Sequence, residues 1–135
     1  LPSGSIIQVK RYGVDDHTAI PFTTASWTDT GASVTITPHA VGNKLLVIVS
    51  YSMISNAAGV GSMRLVLDGA AVGSDYQSGY TNSSHNRYAP FHSQHEHTTT
   101  TTNAHVFKTQ IYNTSDTTYI HADSSSGITV MEIAG

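Results

Sequence analysis

The 135-residue chain contains no cysteine. That removes disulfide staples, thiol catalysis and cysteine-bound zinc or iron–sulfur centres, and any core must be held by packing alone. A single domain of this length buries roughly two-thirds of its unfolded surface, enough for such a core. Basic residues are scarce: six Lys and Arg stand against nine Asp and Glu, for a formal net charge of −3. Only Lys10 and Arg11 are adjacent, so there is no basic face to neutralise phosphates, and nucleic-acid binding is set aside. Long apolar runs are missing too. The longest, LLVIV at 45–49, falls far short of the ~20 residues of a membrane-spanning helix, and membrane insertion is not expected. Neither an initiator Met nor a signal-peptide pattern opens the chain, so LPSGSIIQV reads as a chain entered partway, processed or cut from something longer.

Helical periodicity is the last absence. Nowhere does a 3.6-residue apolar repeat persist for three turns, whereas short apolar runs broken by Gly, Asn, Asp and Ser recur. Charged residues make up 11% of the chain, so Ser and Thr carry most of its solubility, a composition that suits strands and turns. Strands are predicted at 5–11, 32–37, 44–54, 62–68, 70–76, about 88–97, 104–112, 117–121 and 127–133. Asp68-Gly69 is a tight hairpin turn, and TTTTTN at 98–103 reads as a loop or frayed strand edge. The whole chain, 1–135, is expected to form one all-β sandwich or barrel.

Two strands carry more information than the rest. In ASVTIT, Val34 and Ile36 alternate with Ser33, Thr35 and Thr37, as in a strand with one wet face. In KLLVIVSYSMI the alternation fails: Leu45, Val47, Val49, Tyr51 and Met53 line one face, and Leu46, Ile48 and Ile54 the other. The closing strand repeats the pattern, with Ile128 and Val130 on one side and Met131 and Ile133 on the other. A strand apolar on both faces must be covered on both. The second cover is either a neighbouring copy of the chain or a long loop folded over the sheet. Leu46, Val47, Ile48, Val49, Tyr51, Met131 and Ile133 are the candidate subunit-interface residues.

GSIIQVKRYG at the start, SWTDTGASVTITPHAVGNKLLVIVSYSM in the middle and SSGITVMEIAG at the end resemble a domain of bacteriophage tail-fibre and other virion proteins. The matches fall, in order, at Gly4–Val9, Trp27–Pro38, Lys44–Val47 and Ser126–Ile133. Residues 77–103 depart from the family pattern. The resemblance implies a homotrimeric jelly roll of the tumour-necrosis-factor and complement-globular-head type. Its inner sheet would face a threefold axis and hold the first, third and last long strands plus the strand before HVFKTQ. It further implies a virion location and a structural role. That role is either the receptor-binding tip of a tail fibre, where LPSGS reads as the exit from an upstream shaft, or a capsid-decorating cement protein. A secreted lectin-like module remains as a third reading. The partners would then be sister copies with host-surface glycan or protein, or with phage capsid or tail proteins.

The histidines and aromatics remain. FHSQHEHTTTTTNAHVF, 91–107, holds four of the eight histidines. On a strand over 88–97, residues 91, 93, 95 and 97 share a face, so His95 and His97 point together. Beside a threefold axis they would supply two imidazoles from each of three chains, an octahedral shell for a transition metal. The alternatives are ordinary hydrogen-bonding histidines in a polar segment and a pH-sensitive interface. No catalytic residues are assigned. Glu96 faces away from His95 and His97, no nucleophile, zinc-protease or phosphate-loop motif is present, and Glu132 reads as a satisfied polar group, so the chain is not expected to be an enzyme. Tyr80, Asn82, His85, Asn86 and Arg87 form the candidate ligand-contact loop, a tyrosine set among small polar neighbours. Trp27 reads as a core or sheet-end plug.

Overall fold

The computed structural model describes all residues except 15–19, 56–58, 82–86, 114–117 and 121–125. Every element among the described residues is a strand: β1 (Ile6–Val14), β2 (Ile20–Phe22), β3 (Thr28–Ile36), β4 (Lys44–Ser55), β5 (Gly59–Leu67), β6 (Ala70–Thr81), β7 (Arg87–Thr98), β8 (His105–Asn113), β9 (Thr118–Ile120) and β10 (Ser126–Ile133). Each of the nine predicted runs is present, most of them longer than expected. The short β2 was missed because IPF is too brief to show a period.

The strands form two antiparallel sheets. In the first, β1, β10, β4 and β7 lie side by side, with β9 continuing the β10 edge of β4 and β2 pairing β9. The second has the order β3-β8-β5-β6. Among the long strands, only the β5–β6 hairpin stays within a sheet; every other connection crosses to the opposite one. That is the winding of a jelly-roll sandwich, and the first sheet holds the four strands expected of it. The hairpin turns at Asp68 and Gly69, whose φ angles of 50° and 88° are those of a primed turn. In β3 the register jumps between Asp29 and Ser33, and Gly31 takes up the bulge with φ 89°.

Between the sheets lies one continuous core built from alternate residues of facing strands: Val34 and Ile36, Leu45, Val47, Val49 and Tyr51, Met63 and Leu65, Phe91, Phe107 and Ile111, Ile128 and Val130. Each fully buried aliphatic or aromatic side chain contributes about 1.5–3 kcal/mol of transfer free energy. Val47, Val49 and Tyr51 are at most 1% exposed within a single chain. They are therefore core residues, which corrects their assignment to a subunit interface. Both faces of β4 are apolar, and only one of them can meet the opposite sheet.

A chain of hydroxyls crosses this core. The Thr30 and Thr109 hydroxyls are 2.7 Å apart, and the Tyr51 hydroxyl lies 3.0 Å from that of Thr109. One end of the sandwich is closed by polar groups. In the first sheet Gln8, Glu132, Leu45 and His97 stand opposite one another in a row across four strands, and all but Leu45 are polar.

Candidate functional site

The outward face of the first sheet is the main unpartnered apolar surface among the described residues. Register places Val9, Met131 and Leu46 side by side on β1, β10 and β4, with Ile133 and Ile6 in the row before them and Ile48 in the row after. Ile6, Val9 and Ile48 are 58%, 53% and 38% exposed, while Leu46, Met131 and Ile133 are half-buried. Four of the predicted interface residues, Leu46, Ile48, Met131 and Ile133, thus share one outer face. Ile6 and Val9 were missed, because the register shift in β1 between Ile6 and Gln8 obscures its alternation. At the rim of this face Lys44 and Glu96 form an exposed ion pair at 3.0 Å, worth little by itself.

The outward face of the second sheet has the opposite character. The Arg64 guanidinium donates to Gln110 Oε1 at 2.8 and 2.6 Å and lies 4.4 Å from the centre of the Trp27 ring. Gln110 donates in turn to Asp29 at 2.7 Å, and Lys108 reaches the other oxygen of Asp29 at 3.2 Å. Gln110 and then Lys108 hold the Asp29 carboxyl below its usual pKa, against slight burial. Trp27 therefore belongs to this polar surface, tilted against Tyr112 at 5.6 Å, and does not plug the core. Asp29, Asp68, Lys108 and Gln110 also line a shallow groove of about 350 Å³ floored by Val66 and Val106. One sheet thus shows solvent a self-satisfied polar network, the other an apolar surface.

Buried polar chemistry concentrates at the closed end. Glu132 is fully buried and accepts from four donors: the Gln8 amide at 2.7 Å, the His39 backbone N–H at 2.7 Å, His39 Nδ1 at 2.9 Å and the Asn43 amide at 2.5 Å. Burial alone would raise its pKa. The His39, Asn43 and Gln8 side chains and the His39 amide outweigh that and hold it at about 2. Asn43 also accepts from the Gly135 N–H at 3.2 Å, so the carboxylate ties the 37–43 loop and the chain's last residues to the sheet. With its acceptor sites occupied, Glu132 is a structural carboxylate.

On the other side of the same end lie the histidines of β7 and β8. His95 and His97 pair in register with Val47 and Leu45 and are half-buried, whereas His92, Gln94 and Glu96 are exposed. The two imidazoles therefore face the opposite sheet and point away from the surface expected at a threefold axis. This corrects the placement of a metal there: the core side of β7 is fixed by Phe91, which shares the parity of His95 and His97 and is 1% exposed. His97 instead meets His105, the first residue of β8, ring edge to ring face with centroids 5.1 Å apart. His105, 8% exposed, places Nδ1 2.7 Å from Asp68 Oδ2 in the β5–β6 turn. The other oxygen of Asp68 accepts from the Val106 N–H at 2.8 Å. Burial raises the Asp68 pKa, but the Val106 amide and His105 prevail and keep it below its usual range. The pKa of His97 is lowered by burial first, then by the neighbouring His105 and His95. The Nε2 atoms of His97 and His105 are buried without a hydrogen-bond partner, a state that costs about 1–3 kcal/mol per polar group. Among the described residues no group of three or more His, Asp or Glu is arranged around a metal position.

Of the candidate ligand-contact residues, Asn82, His85 and Asn86 lie outside the described residues. Tyr80 falls in β6 and Arg87 in β7, but their side chains are also outside what is described. The threonine run is only partly a free loop: Thr99 is buried, and its hydroxyl donates to the backbone carbonyls of Ala40 and Asn43.

No protein-family model matches the chain, and no curated protein does. Solved structures similar to it include one of infectious bursal disease virus, Gx strain, at 18% identity and a TM-score of 0.49, covering 95% of this chain and 32% of that one. The VP2 subviral particle of the same virus matches at 16% and 0.48, over 97% and 34% of the two chains. The insecticidal delta-endotoxin Cry8Ea1 from Bacillus thuringiensis matches at 16% and 0.43, over 85% and 19%. The chain spans about a third or less of the length of these proteins. Likeness of this degree is loose, and the sandwich assignment rests on the strand pairing itself.

Proposed function

We propose that the chain is a virion structural module that assembles as a homotrimer through the outer face of β1, β10 and β4 and serves as the receptor-binding tip of a fibre or spike. The observation that carries the reading is the contrast between the two sheets. One outer face satisfies its polar groups within a hydrogen-bonded network; the other leaves Ile6, Val9, Leu46, Ile48, Met131 and Ile133 contiguous and partly open to water. A contiguous apolar patch ringed by polar residues marks a surface that another protein covers. A second copy of the chain is the occupant that also fits the resemblance, because in such trimers the sheet made of these four strands is the one that faces the axis.

In this reading sister copies hide the apolar sheet, and the rest of each subunit meets host-surface glycan or protein with the avidity of three linked sites. The test is competition. The purified protein, added to host cells before the particle that carries it, blocks attachment. Leu46→Asp combined with Met131→Asp gives a folded monomer that blocks far less well. A trimer that fails to compete but binds purified shells and raises their heat resistance would replace the tip with a decorating role. A monomer that competes as well as the native protein would remove the role of assembly.

A further inference from the structure

We infer that His97 and His105 form a transition-metal site within each chain, with their Nε2 atoms as ligands and Asp68 as the carboxylate that locks His105. His105 Nδ1 lies 2.7 Å from a carboxylate oxygen of Asp68, and a carboxylate only accepts, so Nδ1 carries a proton and Nε2 is the nitrogen whose lone pair a metal would take. That lone pair meets neither solvent nor a donor, although the residue is more than nine-tenths buried. Metal-bound histidines commonly donate their other ring N–H to a carboxylate in this way, which fixes the ring and makes the ligating nitrogen more basic.

His97 supplies the second half of the pair. It comes from the adjoining strand in sequence, its ring lies against that of His105 at 5.1 Å, and its Nε2 is also buried and unpartnered. Imidazole nitrogens select zinc, copper and nickel over magnesium or calcium. With two protein ligands, the remaining positions fall to a small ligand that enters with the ion. This site is distinct from one on a threefold axis: it uses no residue from a sister copy, and it stands whether or not the chain trimerises.

The probe is zinc, titrated calorimetrically into protein purified without a metal-affinity step and stripped with a chelator. One ion per chain is expected, with a raised melting temperature. His97→Ala and His105→Ala should abolish uptake, and Asp68→Asn should weaken it about ten- to hundred-fold. His92→Ala, on the exposed face, should change nothing. Where the alanine variant of His105 fails to fold, His105→Gln serves in its place, and cobalt bound to the native chain reports imidazole ligation by its visible absorption. No saturable uptake by the native protein would overturn the inference. So would uptake unaffected by the loss of His105, or one ion per three chains that disappears with His95→Ala.

Discussion

Replacing Glu132 with Gln should make the protein behave, at neutral pH, as the native protein does in strong acid. The carboxylate is fully buried and held by four donors. Gln keeps its shape but turns an NH2 group toward donors that need an acceptor. The lowering of the Glu132 pKa from 4.5 to about 2 sets the scale: the ionised form is favoured over the neutral one by about 3 kcal/mol. The folded-state pKa lies below the unfolded one, so this contribution is complete above about pH 4.5 and fades as the pH falls toward 2. The assay is urea unfolding of both proteins from pH 7 down to 2.5, at one fixed concentration because assembly makes stability concentration-dependent. Asp29 and Asp68, whose pKa values are also lowered, affect both curves alike and cancel in the difference. That difference should be about 3 kcal/mol at pH 7 and shrink to about a quarter of this by pH 2.5. Two curves that stay parallel to the lowest pH would refute the reasoning, since the loss would then come from packing.

Three further outcomes follow from the same geometry. Val47→Asp buries a charge in the core and should abolish folding, at a cost above about 4 kcal/mol, whereas Ile48→Asp one residue on should leave a folded chain by circular dichroism. Gly69→Ala meets no neighbouring atom but forces an L-residue to φ 88°, so it should lower stability by about 1–2 kcal/mol in chemical denaturation. Tyr51→Phe removes one member of the buried hydroxyl chain with Thr109 and Thr30 and should cost about 1–2 kcal/mol by the same assay.

Strand positions were legible because alternation is written directly into runs such as ASVTIT and HVFKTQIY. The double-sided character of β4 was legible too, but not which of its sides faces inward. Parity sorts residues into two sets without saying which set meets the other sheet. Hence Val47, Val49 and Tyr51 were grouped with Leu46 and Ile48. One clue could have oriented the histidines. Phe91 shares the parity of His95 and His97, and a large aromatic on a strand with polar residues opposite belongs inside. The contacts that define the closed end were beyond reach. Asp68 meets His105 across 37 positions and Glu132 meets Asn43 across 89. No local pattern encodes such pairings, which arise only when the sandwich brings turn, loop and strand end together.

Trimer assembly and host attachment both depend on what covers the apolar side of β1, β10 and β4. Light scattering behind size exclusion, at micromolar concentration, measures it directly. The expected result is a particle of three times the 14.3 kDa chain mass that becomes a folded monomer in the Leu46→Asp, Met131→Asp variant. A native protein that elutes as a folded single chain would contradict it.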